Sequence, residues 1–397
     1  MLTPAEADKA IEASLPLLPT EPCELERAAG RVLREAVAAD LDQPPFDRVA
    51  MDGIALRFAD YAAGRRAFHV DGIVAAGARP ATLESGGRCL EVMTGAVLPP
   101  GADAVVPLED LVLADGVATL AASARVRLHG NVHRRASDVR AGALVLPSGT
   151  RLGGPEVAIA AAAGRTTLAV SARPRIAVIS TGDELVPPGT RPAPWQVRRS
   201  NAYGIGATLA VHGHPPATDL HLADDLERIR AALEVTLDRH EVVVMSGGVS
   251  AGRYDHVPRA LAAAGVRQVF HKVAQRPGKP LWFGVRDDGR AVFALPGNPV
   301  STLVCLVRYV LPALERLSGA RPTGPTAAWL AGGWSGEHAH TAFVPVRVPA
   351  AGAGAGLELH ETHGSGDFTA LAGTVGFVEL AGGRVLEPGA RAPLYTW

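Results

Sequence analysis

Three segments of this 397-residue chain set glycine, hydroxyl and carboxylate groups directly after an apolar run. Val242–Met245 is β-branched and apolar, the pattern of a strand buried on both faces. Ser246-Gly247-Gly248-Val249-Ser250 breaks that run, and Asp255 precedes an apolar segment, Val257–Ala264, that reads as a helix. Ile176–Ser180 leads likewise into Thr181-Gly182-Asp183-Glu184-Leu185, and Ala291–Leu295 into Pro296-Gly297-Asn298-Pro299. Glycines let neighbouring amides turn towards one point, which suits a phosphate. Carboxylates beside them suit a divalent cation. Any one such loop is equally well a tight strand-to-helix turn, and none is a Walker A or Gly-x-Gly-x-x-Gly loop. If the three strands run parallel, all three loops open on the edge of the sheet where ligands bind. Lys279 in Gln275-Arg276-Pro277-Gly278-Lys279-Pro280 adds a cation. A nucleotide-like or phosphate-bearing ligand is the leading expectation. A second cationic stretch, Arg134-Arg135-Ala136-Ser137-Asp138-Val139-Arg140, is either a solvated loop or a phosphate clamp.

The framework that carries these loops is set by periodicity and punctuation. Thr3-Pro4-Ala5-Glu6 forms a capping box and predicts a helix to about Ser14. Val70–Gly77, Arg88–Thr94 and Asp103–Pro107 read as short strands and Val112–Leu128 as a hairpin, so residues 45–138 form a small β-rich unit. Within it, Asp52-Gly53 between apolar residues reads by pattern alone as a tight turn. From Arg173 strands alternate with helices, including Ser200–His212 and amphipathic Asp224–Arg239, which argues a mostly parallel sheet covered on both faces. Asp224-Asp225 reads first as a negatively charged helix start. A long apolar helix, Val300–Leu317, closes that unit, and short strands after Arg321 predict a small all-β domain.

Composition narrows the class. With 39 basic and 40 acidic residues and a formal net charge of −1, a broad nucleic-acid or membrane surface is not expected. Cys23, Cys89 and Cys305 are isolated, so a reducing cytoplasm is the expected setting, and neither a signal peptide nor a spanning segment is read. His212-Gly213-His214 and His338-Ala339-His340 lack partners at zinc-site spacing and read as turn or surface histidines.

In number and order, these segments resemble the molybdopterin molybdenumtransferase family, MoeA and the gephyrin E domain. The likeness runs through Ala50-Met51-Asp52-Gly53, Thr94-Gly95-Ala96, Gly101-Ala102-Asp103-Ala104-Val105-Val106, Asp138 with Gly142, and Ser180-Thr181-Gly182-Asp183-Glu184-Leu185. It continues through Ser200-Asn201, Ser246-Gly247-Gly248-Val249-Ser250 with Asp255, Pro277-Gly278-Lys279-Pro280 and Leu295-Pro296-Gly297-Asn298-Pro299. The resemblance implies a transferase that takes adenylylated molybdopterin and molybdate, uses Mg2+, yields molybdenum cofactor and releases AMP. It implies Asp52 as catalytic acid, with Thr94 and Asp138 in the same cleft. Arg134, Arg135, Ser180, Gly182, Ser246, Gly247, Gly248, Ser250, Lys272, Arg276, Lys279, Pro296, Asn298, Pro299 and Ser365 would bind substrate, and Glu184, Asp224 and Asp255 the cation.

The implied fold is multidomain α/β and β. Residues 1–44 with 139–172 form an elongated linking domain, 45–138 an inserted β-rich domain, 173–320 a mostly parallel three-layer α/β domain, and 321–397 the C-terminal β domain. The implied assembly is a homodimer with the cleft shared between subunits. An upstream molybdopterin adenylyltransferase and downstream molybdoenzymes or their chaperones are its implied partners, with no nucleic acid and no membrane. Val49, Ala136 and Arg276 stand where the family often has serine, glycine and lysine. A receptor-clustering scaffold, as in the gephyrin branch, is the second reading. A nicotinamide oxidoreductase is a third, and lacks its glycine fingerprint.

Overall fold

The computed structural model describes residues 1–249, 256–336, 339–350 and 356–397. Helix α1, Pro4–Ser14, starts at Thr3, whose hydroxyl accepts from the Glu6 amide while the Glu6 carboxylate accepts from the Thr3 amide. Its apolar residues Ala7 and Ile11 pack into the core of the α/β unit, so this part of the linking segment is structurally the α/β domain's own. The rest of the linking region is a ladder of distant segments: Thr20–Glu24 pairs antiparallel with Thr167–Ser171, and Leu144–Leu146 with Val37–Ala38.

The inserted unit begins with a two-residue strand, β1 (Arg48–Val49), and continues with β2 (Gly53–Leu56), β3 (Ala67–Val74), β4 (Arg88–Val92), β5 (Ala104–Pro107), β6 (Leu111–Ala114), β7 (Val117–Leu120) and β8 (Val132–His133). Six of them form a sheet in the order β5-β2-β4-β3-β7-β6, and β8 pairs with β1. The expected hairpin is shorter than its alternating pattern, ending at Leu120, because Ala121 and the residues after it turn back. Gly53 opens a strand rather than closing a turn. A Cβ there would stand 1.9 Å from the Val106 carbonyl oxygen, so only glycine lets β2 lie this close to β5.

After helix α2 (Gly154–Ala162), the α/β unit comprises β9 (Ile176–Thr181), α3 (Asn201–Val211), β10 (Thr218–Leu222), α4 (Leu226–Arg239), β11 (Val242–Ser246), α5 (Val257–Ala263), β12 (Val266–His271), β13 (Gln275–Arg276), β14 (Trp282–Arg286) and β15 (Ala291–Leu295). Its sheet runs β10-β9-β11-β15-β14-β12. β10, β9, β11 and β15 are parallel, and β14 is antiparallel to both its neighbours. Period-two alternation splits the strand residues between layers. Ile176, Val178, Val242 and Val244 join α1 and α3 on one face, while Ala177, Ile179, Val243 and Met245 join α4 and α5 on the other.

The long C-terminal helix is three pieces, α6 (Pro299–Cys305), a π-helical turn over Leu306–Val310, and α7 (Leu311–Ser318). Strands β16 (Thr326–Trp329), β17 (Thr341–Arg347), β18 (Gly376–Leu380) and β19 (Arg391–Thr396) build the last domain, joined by β13 beside β17. Arg308 fastens three parts of the chain. It donates to Asp8 of α1 at 2.7 and 2.8 Å and to Glu379 of β18 at 2.9 Å. No helix among the described residues is long and apolar enough to cross a membrane.

Candidate active site

The parallel strands β9, β11 and β15 are adjacent, so the loops after Thr181, Ser246 and Leu295 do open on one edge of the sheet. Ser180 and Thr181 are 1% and 4% exposed, and among the described residues their hydroxyls have no hydrogen-bond partner. Buried hydroxyls of that kind point to a group that the protein does not itself supply. Gly247 and Gly248 come next after Ser246, with φ of +101° and +67°, a region closed to most side chains. A Cβ on Gly247 would press the Thr181 carbonyl oxygen at 2.8 Å. Asn201, at the start of α3, staples two of the loops together: its amide donates to Ser246 Oγ at 2.7 Å and to the Gly297 carbonyl at 2.8 Å. The C-terminal domain reaches the same place. Asn298 donates to Ser365 Oγ at 2.6 Å, and the Val300 amide to the Ser365 carbonyl at 3.1 Å. Pro299 is the first residue of α6, and the Pro296 carbonyl accepts from Thr302.

Cations border this edge. β12 runs in the same direction as β15, and Lys272 succeeds it in a left-handed conformation, φ +76°. Arg276, at the end of β13, and Lys279, on the loop after it, are exposed. That loop is braced from beneath by Gln275, 1% exposed, which accepts from the Tyr309 hydroxyl and donates to the Pro277 carbonyl at 3.2 Å and Cys305 Sγ at 3.5 Å. Burial pushes the Cys305 thiol up to about 12, so it is a packed donor rather than a nucleophile.

Acids gather at the first loop. Burial, then the charges of Glu184 and Asp183, raises the Asp224 carboxyl above its ordinary value, and the Asp224 amide donates to Asp183 at 3.2 Å. Asp225, not Asp224, caps α4, accepting from the Arg228 amide at 2.8 Å. Like charges drawn together this way fit a cation. Among the described residues no three His, Cys, Asp or Glu side chains stand in metal-binding array. The expected ligands Ser250 and Asp255 lie outside the described residues, as does His338. His214 sits in a turn after α3, and burial lowers it to about 4, keeping it neutral.

In the inserted domain Asp52 lies in the bend before β2 and Thr94 in the turn after β4. Asp52 Oδ1 accepts from the Thr94 amide at 2.6 Å and from its hydroxyl at 2.7 Å. These bonds hold the Asp52 carboxyl below the usual carboxylate range. Short strand β1 ties this pair to the cationic stretch. The Val49 amide donates to Ala96, the Gly95 amide to Val49, and the Ala50 amide to Asn131. Beyond β8, Asp138 accepts from His133 Nε2 at 2.8 Å and from Ser137 at 3.2 Å, and the His133 bond holds its carboxyl low. Arg135 is committed elsewhere. Its guanidinium donates to Asp42 at 2.6 Å and its amide to Asp47 at 2.7 Å, while Arg134 is exposed.

The candidate residues thus fall into two sets. One is the sheet edge with Ser365, and the other is Asp52, Thr94 and Asp138, whose side-chain bonds run within residues 52–138. Three contributors escaped the sequence reading. Thr181 and Asn201 lay inside segments already singled out, where only burial and hydrogen bonding reveal their part. His133 carried no signal, because its partner Arg48, 85 residues away, reaches it only through the β1–β8 pairing.

A family model described as the MoeA N-terminal region, domains I and II, matches residues 2–164, and one described as a probable molybdopterin binding domain matches residues 177–316. The chain is 40% identical over 403 residues to a molybdopterin molybdenumtransferase of Synechocystis, covering 100% of both. It is 34% identical over 310 residues to one of Nostoc, covering 76% of this chain and 70% of that one. Among solved structures, a molybdopterin biosynthesis MoeA protein from Pyrococcus horikoshii superposes with a TM-score of 0.78 at 29% identity, covering 100% of this chain and 99% of the other.

Proposed function

The chain belongs to the molybdopterin molybdenumtransferase family and is a transferase of molybdenum cofactor biosynthesis; on that basis we propose that it inserts molybdate into adenylylated molybdopterin and releases AMP. The observation that carries this finer reading is the sheet edge itself. Among the described residues the buried hydroxyls of Ser180 and Thr181 have no partner, positive-φ glycines Gly247 and Gly248 stand at the neighbouring strand end, and Lys272 follows β12 at the same edge of the sheet, with Arg276 and Lys279 beyond it. That arrangement suits a phosphate-bearing substrate and a small oxyanion.

In this reading Ser180, Ser246 and the Gly247–Gly248 backbone hold the phosphates, and Asn298 with Ser365 fixes the loop against the substrate's other end. Lys272, Arg276 and Lys279 gather molybdate, and Arg134 extends the cationic rim. Asp224 and Glu184 would hold a magnesium ion, which when bound neutralises charge on the pyrophosphate oxygens as its bond breaks. Asp52, ionised and oriented by Thr94, takes up a proton or steadies a positive group in the transferring complex. The two sets meet across a homodimer, the inserted domain of one subunit against the sheet edge of the other. The substrate comes from a molybdopterin adenylyltransferase, and the product passes to molybdoenzymes or their chaperones.

The test is AMP release by the purified chain given adenylylated molybdopterin and magnesium, with and without molybdate. Release that requires molybdate, with cofactor able to reconstitute an apo-molybdoenzyme, is expected. Tight binding without release would leave a binding role instead.

A further inference from the structure

β8 pairs antiparallel with β1 so that His133 stands directly opposite Arg48. Arg48 Nη2 lies 3.0 Å from His133 Nδ1, and His133 Nε2 lies 2.8 Å from Asp138 Oδ1. A guanidinium has donors and no acceptor, so Nδ1 must be the unprotonated nitrogen. The ring proton is then on Nε2 and is donated to Asp138. The sheet register thus selects one tautomer and aims it at one carboxylate. We propose that His133 is a positioning residue, held by Arg48 as its Nε2–H tautomer so that it orients the Asp138 carboxylate for the transfer reaction.

This rests on the placing of Asp138 in the reacting cleft. The charged groups around the ring are Arg48 from β1 and Asp138 from the loop after β8, with Arg134 next to it in sequence and Arg135 bound to Asp42 and Asp47. A second proton on the ring would set an N–H against the Arg48 guanidinium and end that contact. Glutamine is the informative replacement. Its amide nitrogen can donate to Asp138 and its oxygen accept from Arg48, and it does not titrate.

The experiment combines nitrogen-15 NMR of the histidine rings in the full chain with steady-state AMP release at about pH 8. For His133 the Nε2–H tautomer is expected at pH 8, giving way to a mixture in Arg48→Ala. His133→Ala is expected to lower kcat on the order of tenfold while KM stays within about twofold, the signature of lost orientation rather than lost binding. His133→Gln should recover most of that rate, because its amide can meet both partners. An Nδ1–H tautomer, a native rate in His133→Ala, or a His133→Gln rate still about tenfold below native would each overturn the proposal. Asp138→Asn separates the two readings. A native rate there removes the role of Asp138 itself, whereas a slow Asp138→Asn beside a fast His133→Ala removes only that of His133. If the alanine variant does not fold, the native tautomer and the glutamine variant's rate still decide.

Discussion

At the edge of the α/β sheet the site is made chiefly of backbone. β9, β11 and β15 are buried strands, and each runs out into glycine, proline and short hydroxyls stapled by Asn201. In the inserted domain the site is made of side chains. Asp52 leans on Thr94 and Asp138 on His133, all at or near the surface and held by hydrogen bonds between segments up to 42 residues apart. Backbone cradles of the first kind fix where a charged ligand can lie. Exposed carboxylates of the second kind move protons and charge, and they depend on donors that reach them from other strands. On the proposed function one half holds and the other reacts, which places the largest functional losses in the inserted domain and the largest conformational constraints where backbone meets backbone.

The strongest break in that contrast is Asp52→Asn. Asp52 is exposed and its acceptor oxygen is kept in asparagine, so the fold and the Thr94 bonds survive. Losing the ionised group at a reacting centre should cut AMP release by about 10²-fold or more, with substrate binding retained. Turnover and a thermal melt on the same sample check this, and full activity would reduce Asp52 to a bend residue. Next comes Gly53→Ala, one position along. Its new Cβ meets backbone at 1.9 Å, so β2 and β5 must part, at a cost of roughly 1–3 kcal/mol or more in urea unfolding. A native midpoint would show that the strands separate freely.

Asp224→Asn tests the acidic corner of the sheet edge. Burial with Glu184 and Asp183 raises the Asp224 carboxyl, so the folded chain holds that proton more tightly than the unfolded one. Ionising Asp224 therefore costs stability, and the loss sets in as pH rises through and above the ordinary carboxylate range. The variant should melt slightly higher than the native chain in chelator at neutral pH. It should also gain less from added magnesium, since a ligand that binds the folded state raises its melting point. An unchanged magnesium shift would move the cation away from Asp224.

The same contrast explains how much could be read from sequence. The α/β sheet was legible because a β-branched run leading into Gly-Gly or Pro-Gly has few structural solutions, and the three loops did open on one edge. The capping box at Thr3 and Glu6 was legible for a similarly local reason. The functional part of Asp52 was not. Its sequence neighbours describe a turn, while Thr94 approaches only because β4 pairs with β2. The long apolar helix hid its π-helical turn, since one added residue leaves the apolar pattern intact while swinging Tyr309 onto Gln275. His133 was silent altogether, for it acts through register and not through spacing.

The mildest substitution is the most direct measure of how far the side-chain site departs from the backbone-built one. Gly182, Gly247 and Gly248 occupy positive φ at the sheet edge with the residue suited to it, whereas Ala136, in the loop between His133 and Asp138, sits at φ +59° with a Cβ. A left-handed conformation costs an L-residue about 1–2 kcal/mol. Glycine would relieve that, but would give back about 0.4–1 kcal/mol through the greater freedom of the unfolded chain. Ala136→Gly should therefore raise stability by only about 0.5–1 kcal/mol, read as a higher urea midpoint with an unchanged slope. The Ala136 amide donates to Pro44 at 3.0 Å, and the Asp138 amide to Gln43 at 3.0 Å. Glycine keeps both bonds, so the loop holds its shape and AMP release should stay at the native rate. A gain in stability with native turnover would mean that the alanine strains the loop without aiming Asp138. A fall in turnover with that same gain would mean that the stiff, strained loop is itself part of how the carboxylate is held.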